Sequence, residues 1–128
     1  MEPSRLAEVG LFSGCSSEEV DRLGNEMRLD RHPVGTVLVE QGDLSTKFFV
    51  ILTGHVTVHR DGTHIADLGP GDFLGEMGVL ALEDRNATVI ATTPVEVAQM
   101  MGWRLRETLG EFPGLRDALE RAAGQREP

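Results

Sequence analysis

Tyrosine is absent from this 128-residue chain, and tryptophan (Trp103) and cysteine (Cys15) occur once each. One cysteine can neither close an internal disulfide nor build a cysteine-based zinc cluster. Aromatic residues make up only 5%, so valine, leucine and isoleucine have to fill the core. No apolar run approaches the roughly 18 residues that a membrane span requires, and the opening stretch MEPSRLAEVG lacks the basic and apolar regions of a secretion signal. Bases are also scarce: twelve, eleven of them arginine, stand against 21 acids, for a formal charge of −9. Proteins that bind nucleic acids neutralise phosphates with basic stripes, so this balance argues against a DNA or RNA partner. The absences together lead to the expectation of an acidic, cytoplasmic protein with neither a membrane nor a nucleic-acid partner.

What is present suffices for a single domain over residues 1–128. With 40% apolar and 26% charged residues the chain reads as globular. Its period divides it into N-terminal helices at 1–28, a β region at 29–101 and C-terminal helices at 102–124. Ser16 and Ser17 are N-cap candidates, followed by Glu18 and Glu19 where a helix dipole favours negative charge. Val20, Leu23 and Met27 then recur at helical spacing, predicting a helix over 16–28, with Leu11 and Phe12 tucked onto the core. From Leu29 turn residues interrupt β-branched and apolar runs at 36–40, 47–53, 55–60, 63–68, 87–93 and 95–101. Asp61-Gly62 between two such runs predicts a two-residue hairpin, because that turn needs positive φ. Adding shorter pieces at 29–32 and 72–74 gives about eight strands. The expected fold is mainly β: an eight-stranded, double-sheet β-roll (jelly roll) flanked by short N- and C-terminal helices. Pro113 suits the first turn of the last helix and Gly124 its end, leaving 125–128 as a frayed tail.

The chemistry concentrates in GPGDFLGEMGVLALEDRNATVIA, residues 69–91. Gly75 follows a strand end and precedes a helix-like run at 76–80, an arrangement that lets backbone N–H groups converge on an anion. Arg85, at the start of the next strand, adds a guanidinium fork for two oxygens of a phosphate or carboxylate. Glu76 would repel a phosphate but suits a neutral hydroxyl, as an acidic residue serves a ribose 2′-OH in dinucleotide folds. An anion grip and a ribose grip within one short segment point to a nucleotide monophosphate.

The stretch resembles the phosphate-binding cassette of cyclic-nucleotide-binding domains, as found in catabolite activator and FNR-type regulators, protein kinase A regulatory subunits and cyclic-nucleotide-gated channels. That pattern is Gly-Glu, small or apolar residues, a spacer, then Arg, a small residue and Ala. Here it reads Gly75-Glu76-Met77-Gly78-Val79-Leu80, a spacer at 81–84, then Arg85-Asn86-Ala87-Thr88-Val89. The Gly42-Asp43 turn before Phe48-Phe49-Val50, Gly54, and the approach Leu68 to Phe73 are similar to further family landmarks, so the resemblance covers about residues 10–122. It implies that Glu76 accepts from the ribose 2′-OH and that Arg85 pairs with the exocyclic phosphate oxygens. It also implies that backbone N–H groups at Gly78 and Asn86 face the phosphate, while Met77 and Val79 line the apolar wall or the core. With no Ser or Thr after Arg85 the expected ligand is cAMP, with cGMP possible and Asn86 leaving base preference open. The chain shows no DNA-binding segment after the last helix, so the expectation is a sensor that acts through an effector protein.

Three other readings of the same residues stand beside this one. Gly75 can be only a bulge, with Glu76 and Arg85 only a structural ion pair. Separately, the roll can persist without nucleotide affinity, as an interaction scaffold. His55 and His59 lie four apart on one expected strand and so share a face, and His64 sits beyond the hairpin, which raises a cupin-like metal enzyme. The His-x-His pattern and later ligands of cupins are missing, however, so solvent-facing histidines and no metal are expected. Cys15 has no basic neighbour to activate it, and no acid–base pair surrounds the cassette, so no catalysis is expected. Arg104 and Arg106 are expected on a solvated face of the C-terminal helices, with a partner interface as the alternative.

Overall fold

The computed structural model describes residues 1–42, 47–74 and 87–126, without the side chains of 122–126. A short helix α1 (Pro3–Ala7), a 3-10 turn (Gly10–Phe12) and α2 (Ser17–Glu26) precede the strands β1 (Arg28–His32), β2 (Val37–Val39), β3 (Lys47–Thr53), β4 (Val56–Arg60), β5 (Thr63–Leu68), β6 (Phe73–Leu74), β7 (Thr88–Ala91) and β8 (Val95–Met101). Two helices follow, α3 (Gly102–Glu111) and α4 (Pro113–Arg126). The strands form two antiparallel four-stranded sheets, β1-β8-β3-β6 and β2-β7-β4-β5. This is the eight-stranded double-sheet roll that the turn spacing predicts.

Burial explains why the strands read differently in sequence. The first sheet is covered on both faces. Phe48 and Val50 of β3 join Ala98 and Met100 of β8 in a core shared with the helices. Phe49, Ile51, Val95 and Val97 point the other way, into the core between the sheets. A strand buried on both faces has no polar positions to alternate with, so β3 and β8 appear as nearly continuous apolar runs. The second sheet has one wet face: Val56 and Val58 of β4 point inward, whereas Thr57 and His59 are only partly covered. Alternation is correspondingly clear there.

Turn and cap chemistry match the residues present. Asp61 (φ 52°) and Gly62 (φ 79°) both hold positive φ between β4 and β5, as the hairpin requires. Ser16 caps α2: its hydroxyl accepts from the Glu19 N–H at 3.1 Å and its own N–H donates to the Glu19 carboxylate at 2.9 Å. The helix is shorter than 16–28, because Met27 is already extended (φ −96°, ψ 148°) and Arg28 begins β1. Leu11 and Phe12 are buried as expected, beside Leu23, Leu105, Leu109, Leu115 and Leu119. Pro113 opens α4, but Gly124 does not end it, and Gln125 and Arg126 are helical rather than frayed. A glycine inside a helix costs only about 1 kcal/mol relative to alanine, too little to stop one by itself. His55 precedes β4 rather than lying on it.

Candidate functional site

The seam between the two sheets is where the candidate segment attaches. β6 lies at an edge of the first sheet and β7 lies within the second, so the chain changes sheets between Leu74 and Ala87. The approach is fixed by hydrogen bonds. The Asp72 carboxylate accepts from the Gly69 N–H at 2.9 Å, the Gly71 N–H donates to the Ile51 carbonyl at 2.8 Å, and the Ile51 N–H returns a bond to the Asp72 carbonyl at 2.8 Å. Phe73 then enters the helix-side core, its ring centre 6.0 Å from that of Phe48, while Leu74 enters the core between the sheets. Two successive residues are thus anchored on opposite faces, and the segment leaves from a held position.

Its return is fixed as well. Ala87 is buried in the inter-sheet core, directly before β7. Thr88 Oγ1 accepts from the Gln41 N–H at 3.0 Å. The Gln41 amide exchanges two bonds of 2.8 Å with Asp61 in the β4–β5 turn. Of the expected contact residues, Gly75, Glu76, Met77, Gly78, Val79, Arg85 and Asn86 lie outside the described residues, and Ala87 is the one the structure places.

Two ion-pair centres tie the helices to this frame. Glu96 of β8 accepts from Arg5 of α1 at 2.9 Å, from Arg31 of β1 at 2.8 Å and from the Thr53 hydroxyl at 3.2 Å. The hydrogen bonds from Arg5 and then Arg31 hold its carboxyl down at about 2, against an ordinary value of 4.5. A lowered carboxyl stabilises the fold fully above its ordinary value and loses that contribution as the pH falls towards the folded value. The melting-temperature gap between the parent and Glu96→Gln should therefore be widest above pH 4.5 and close as pH drops towards 2. A gap that stays constant across that window would show that Glu96 is not a net stabilising partner.

The second centre corrects the expectation for Arg104. Its guanidinium is not on a freely solvated face but is clamped by Glu26 at 2.6 and 2.8 Å and by Glu107 at 2.7 Å. The Arg104 bond is the main cause of the lowered Glu26 carboxyl, and Glu26 in turn raises Arg104. Arg22 adds a pair with Glu111 and lies 4.8 Å from the centre of the Phe112 ring. Helix α2, before the roll, is thereby bound to α3, after it. The residues involved lie 78 and 89 apart, so sequence spacing carries no sign of the pairing. Arg106 is exposed, as expected. Burial and then Glu19 raise the Cys15 thiol, which opposes nucleophilic use.

Among the described residues no group of three or more His, Cys, Asp and Glu is placed to hold a metal ion, and no helix is long and apolar enough to cross a membrane. The sequence model of the cyclic nucleotide-binding domain matches residues 30–111. The chain belongs to that family. It is 35% identical to the acetyltransferase Pat of Mycolicibacterium smegmatis, over 94% of this chain and 37% of Pat. It is 31% identical to a cGMP-dependent protein kinase of Caenorhabditis elegans, over 95% of this chain and 16% of the kinase. The chain thus spans from about a sixth to just over a third of the length of these relatives. Among solved structures, the catabolite activator protein of Thermus thermophilus superposes with a TM-score of 0.81 at 27% identity, over 91% of this chain and 57% of that one. The regulatory domain of Toxoplasma gondii PKA with cAMP gives 0.87 at 22% identity, over 96% and 48%, a likeness of fold.

Proposed function

We propose that this chain is a cyclic-nucleotide sensor whose ligand is cAMP, held by the segment between Leu74 and Ala87. The observation that supports the reading is that the Gly-Glu and Arg-x-Ala pattern falls in the connection from β6 to β7, which joins the two sheets and whose flanking residues Leu74 and Ala87 are buried in the core between them. In this proposal Glu76 accepts from the ribose 2′-OH and Arg85 pairs with the exocyclic phosphate oxygens. Gly75 allows the tight corner, Gly78 and Asn86 offer N–H groups, Met77 and Val79 supply apolar wall, and buried Ala87 fixes the return. A net charge of −9 makes a local guanidinium more important for an anionic ligand, since the rest of the surface repels it.

The role is regulatory rather than catalytic, performed in the cytoplasm, and works by population shift. Helix α3 continues directly from β8, so a change at the cassette that favours one placement of α3 and α4 biases the helical layer. A nucleotide with equal affinity for both placements would shift nothing. The output lies in an effector protein or a further domain. That the Mycolicibacterium smegmatis relative is an acetyltransferase matched over 37% of its length supports a module that governs an activity housed elsewhere.

The ribose role has its own test. Glu76→Gln should weaken cAMP binding without lowering the melting temperature of the unliganded protein, and 2′-deoxy-cAMP should bind the parent more weakly than cAMP. Equal affinity for the two nucleotides in calorimetry would remove Glu76 from the ribose.

A further inference from the structure

We infer that the outer face of the β4–β5 hairpin holds a divalent transition-metal site built from His59 and His64, with Asp67 orienting His64. The arrangement depends on an irregularity. In β4–β5 the register pairs Val56 with Leu68, Thr57 with Asp67 and Val58 with Ala66, then shifts so that His59 faces His64 and Arg60 faces Thr63. Ile65 is the extra residue of this bulge. Residues three apart on a regular strand point to opposite faces. The bulge instead puts His64 and Asp67 on one face, where His64 Nε2 lies 2.9 Å from Asp67 Oδ1. Val56 and Val58 point into the inter-sheet core, so Thr57 and His59 share the outer face with them.

The result is a two-by-two patch: Thr57 opposite Asp67, His59 opposite His64. The two imidazole ring centres are 5.6 Å apart at an interplanar angle of 62°. With metal–nitrogen bonds of about 2.1 Å, two imidazoles on one ion have ring centres about 5 to 6 Å apart. His64 donates Nε2–H to the Asp67 carboxylate, which leaves the Nδ1 lone pair available and fixes the tautomer. A carboxylate behind a ligating histidine is the usual support for such a ligand. His59 Nε2 lies 3.1 Å from Thr57 Oγ1, leaving its own Nδ1 without a partner among the described residues. Half of the His64 side chain (51%) is open to solvent, so an ion has access. The Asp67 carboxylate beside His64 and the charge of −9 favour a cation.

Two imidazoles and water suit a borderline ion, and affinity should rise from Zn²⁺ or Ni²⁺ to Cu²⁺. The ion would clip β5, the edge strand of the second sheet, to β4. This revises the expectation of purely solvent-facing histidines; it needs no third ligand and implies no catalysis.

The test is a Zn²⁺ titration of the untagged 128-residue chain, followed by the ring-nitrogen signals of its four histidines and by calorimetry. One equivalent should bind, shift His59 and His64 together and leave His32 and His55 in place. His59→Gln and His64→Gln should each weaken binding at least about tenfold, and Asp67→Asn by about tenfold. Zn²⁺ should also raise the melting temperature of the parent and of neither histidine variant, a readout that holds if one variant proves less stable. No binding, binding unchanged in either histidine variant, or equal shifts at His55 would overturn the site.

Discussion

Arg85→Ala should weaken cAMP binding by about 2–5 kcal/mol, the usual cost of deleting one partner of a desolvated charged pair. That corresponds to a loss of roughly 30-fold to several thousandfold in affinity. A chain of charge −9 repels an anion at long range, so a local cation has to supply the attraction, and a guanidinium offers two parallel donors to two phosphate oxygens. Arg85 stands two positions before Ala87, whose side chain is buried in the inter-sheet core. Arg85→Lys should recover part of the loss, because charge remains but the planar fork does not. The unliganded variants should melt as the parent does. Unchanged calorimetric affinity in a folded Arg85→Ala would take this residue out of the site.

Gly54→Ala should have the largest effect on stability, about 3 kcal/mol or more, by two mechanisms acting together. Gly54 holds φ +89°, and a Cβ there would lie 2.2 Å from the Pro94 carbonyl oxygen and 2.9 Å from Val95 Cα, both backbone atoms. This corner carries the chain from the first sheet into the second. It is pinned by bonds from the His55 N–H to Thr93 Oγ1 at 2.9 Å and from the Thr92 N–H to the His55 carbonyl at 3.0 Å. Gly35 supplies the control: it has the same φ of +89°, but a Cβ there meets nothing within 4 Å. Gly35→Ala should therefore cost only the conformational strain, about 1 kcal/mol. Denaturant unfolding of both variants measures the difference. Similar losses for the two would mean that the corner yields and that the overlap at Gly54 is relieved cheaply.

Sequence patterns reveal what depends on local rules. The Asp61-Gly62 turn and the Ser16 helix cap each involve residues a few positions apart, and each is found where its spacing places it. The same holds for the doubly buried β3 and β8, whose nearly continuous apolar runs reflect a sheet covered on both faces. Features that depend on distant residues meeting were not legible. Arg104 reads as an exposed helical arginine until Glu26 is brought to it from 78 residues away. The register shift opposite His59 leaves no composition signal, yet it decides which face His64 occupies. Gly124 misleads for a different reason: a glycine permits a helix end without imposing one. The cassette was legible as a spaced pattern, and the structure adds the two anchored ends, Leu74 and Ala87, between which Gly75 to Asn86 lie outside the described residues.

Direct titration of the purified chain with cAMP and with cGMP by calorimetry tests the central claim. The account predicts one saturable site with cAMP bound more tightly than cGMP, and a melting temperature that rises with cAMP concentration, by about 2.7 kcal/mol of added stability at 100 times the dissociation constant. A folded protein that takes up neither nucleotide would contradict it and leave the roll as a scaffold.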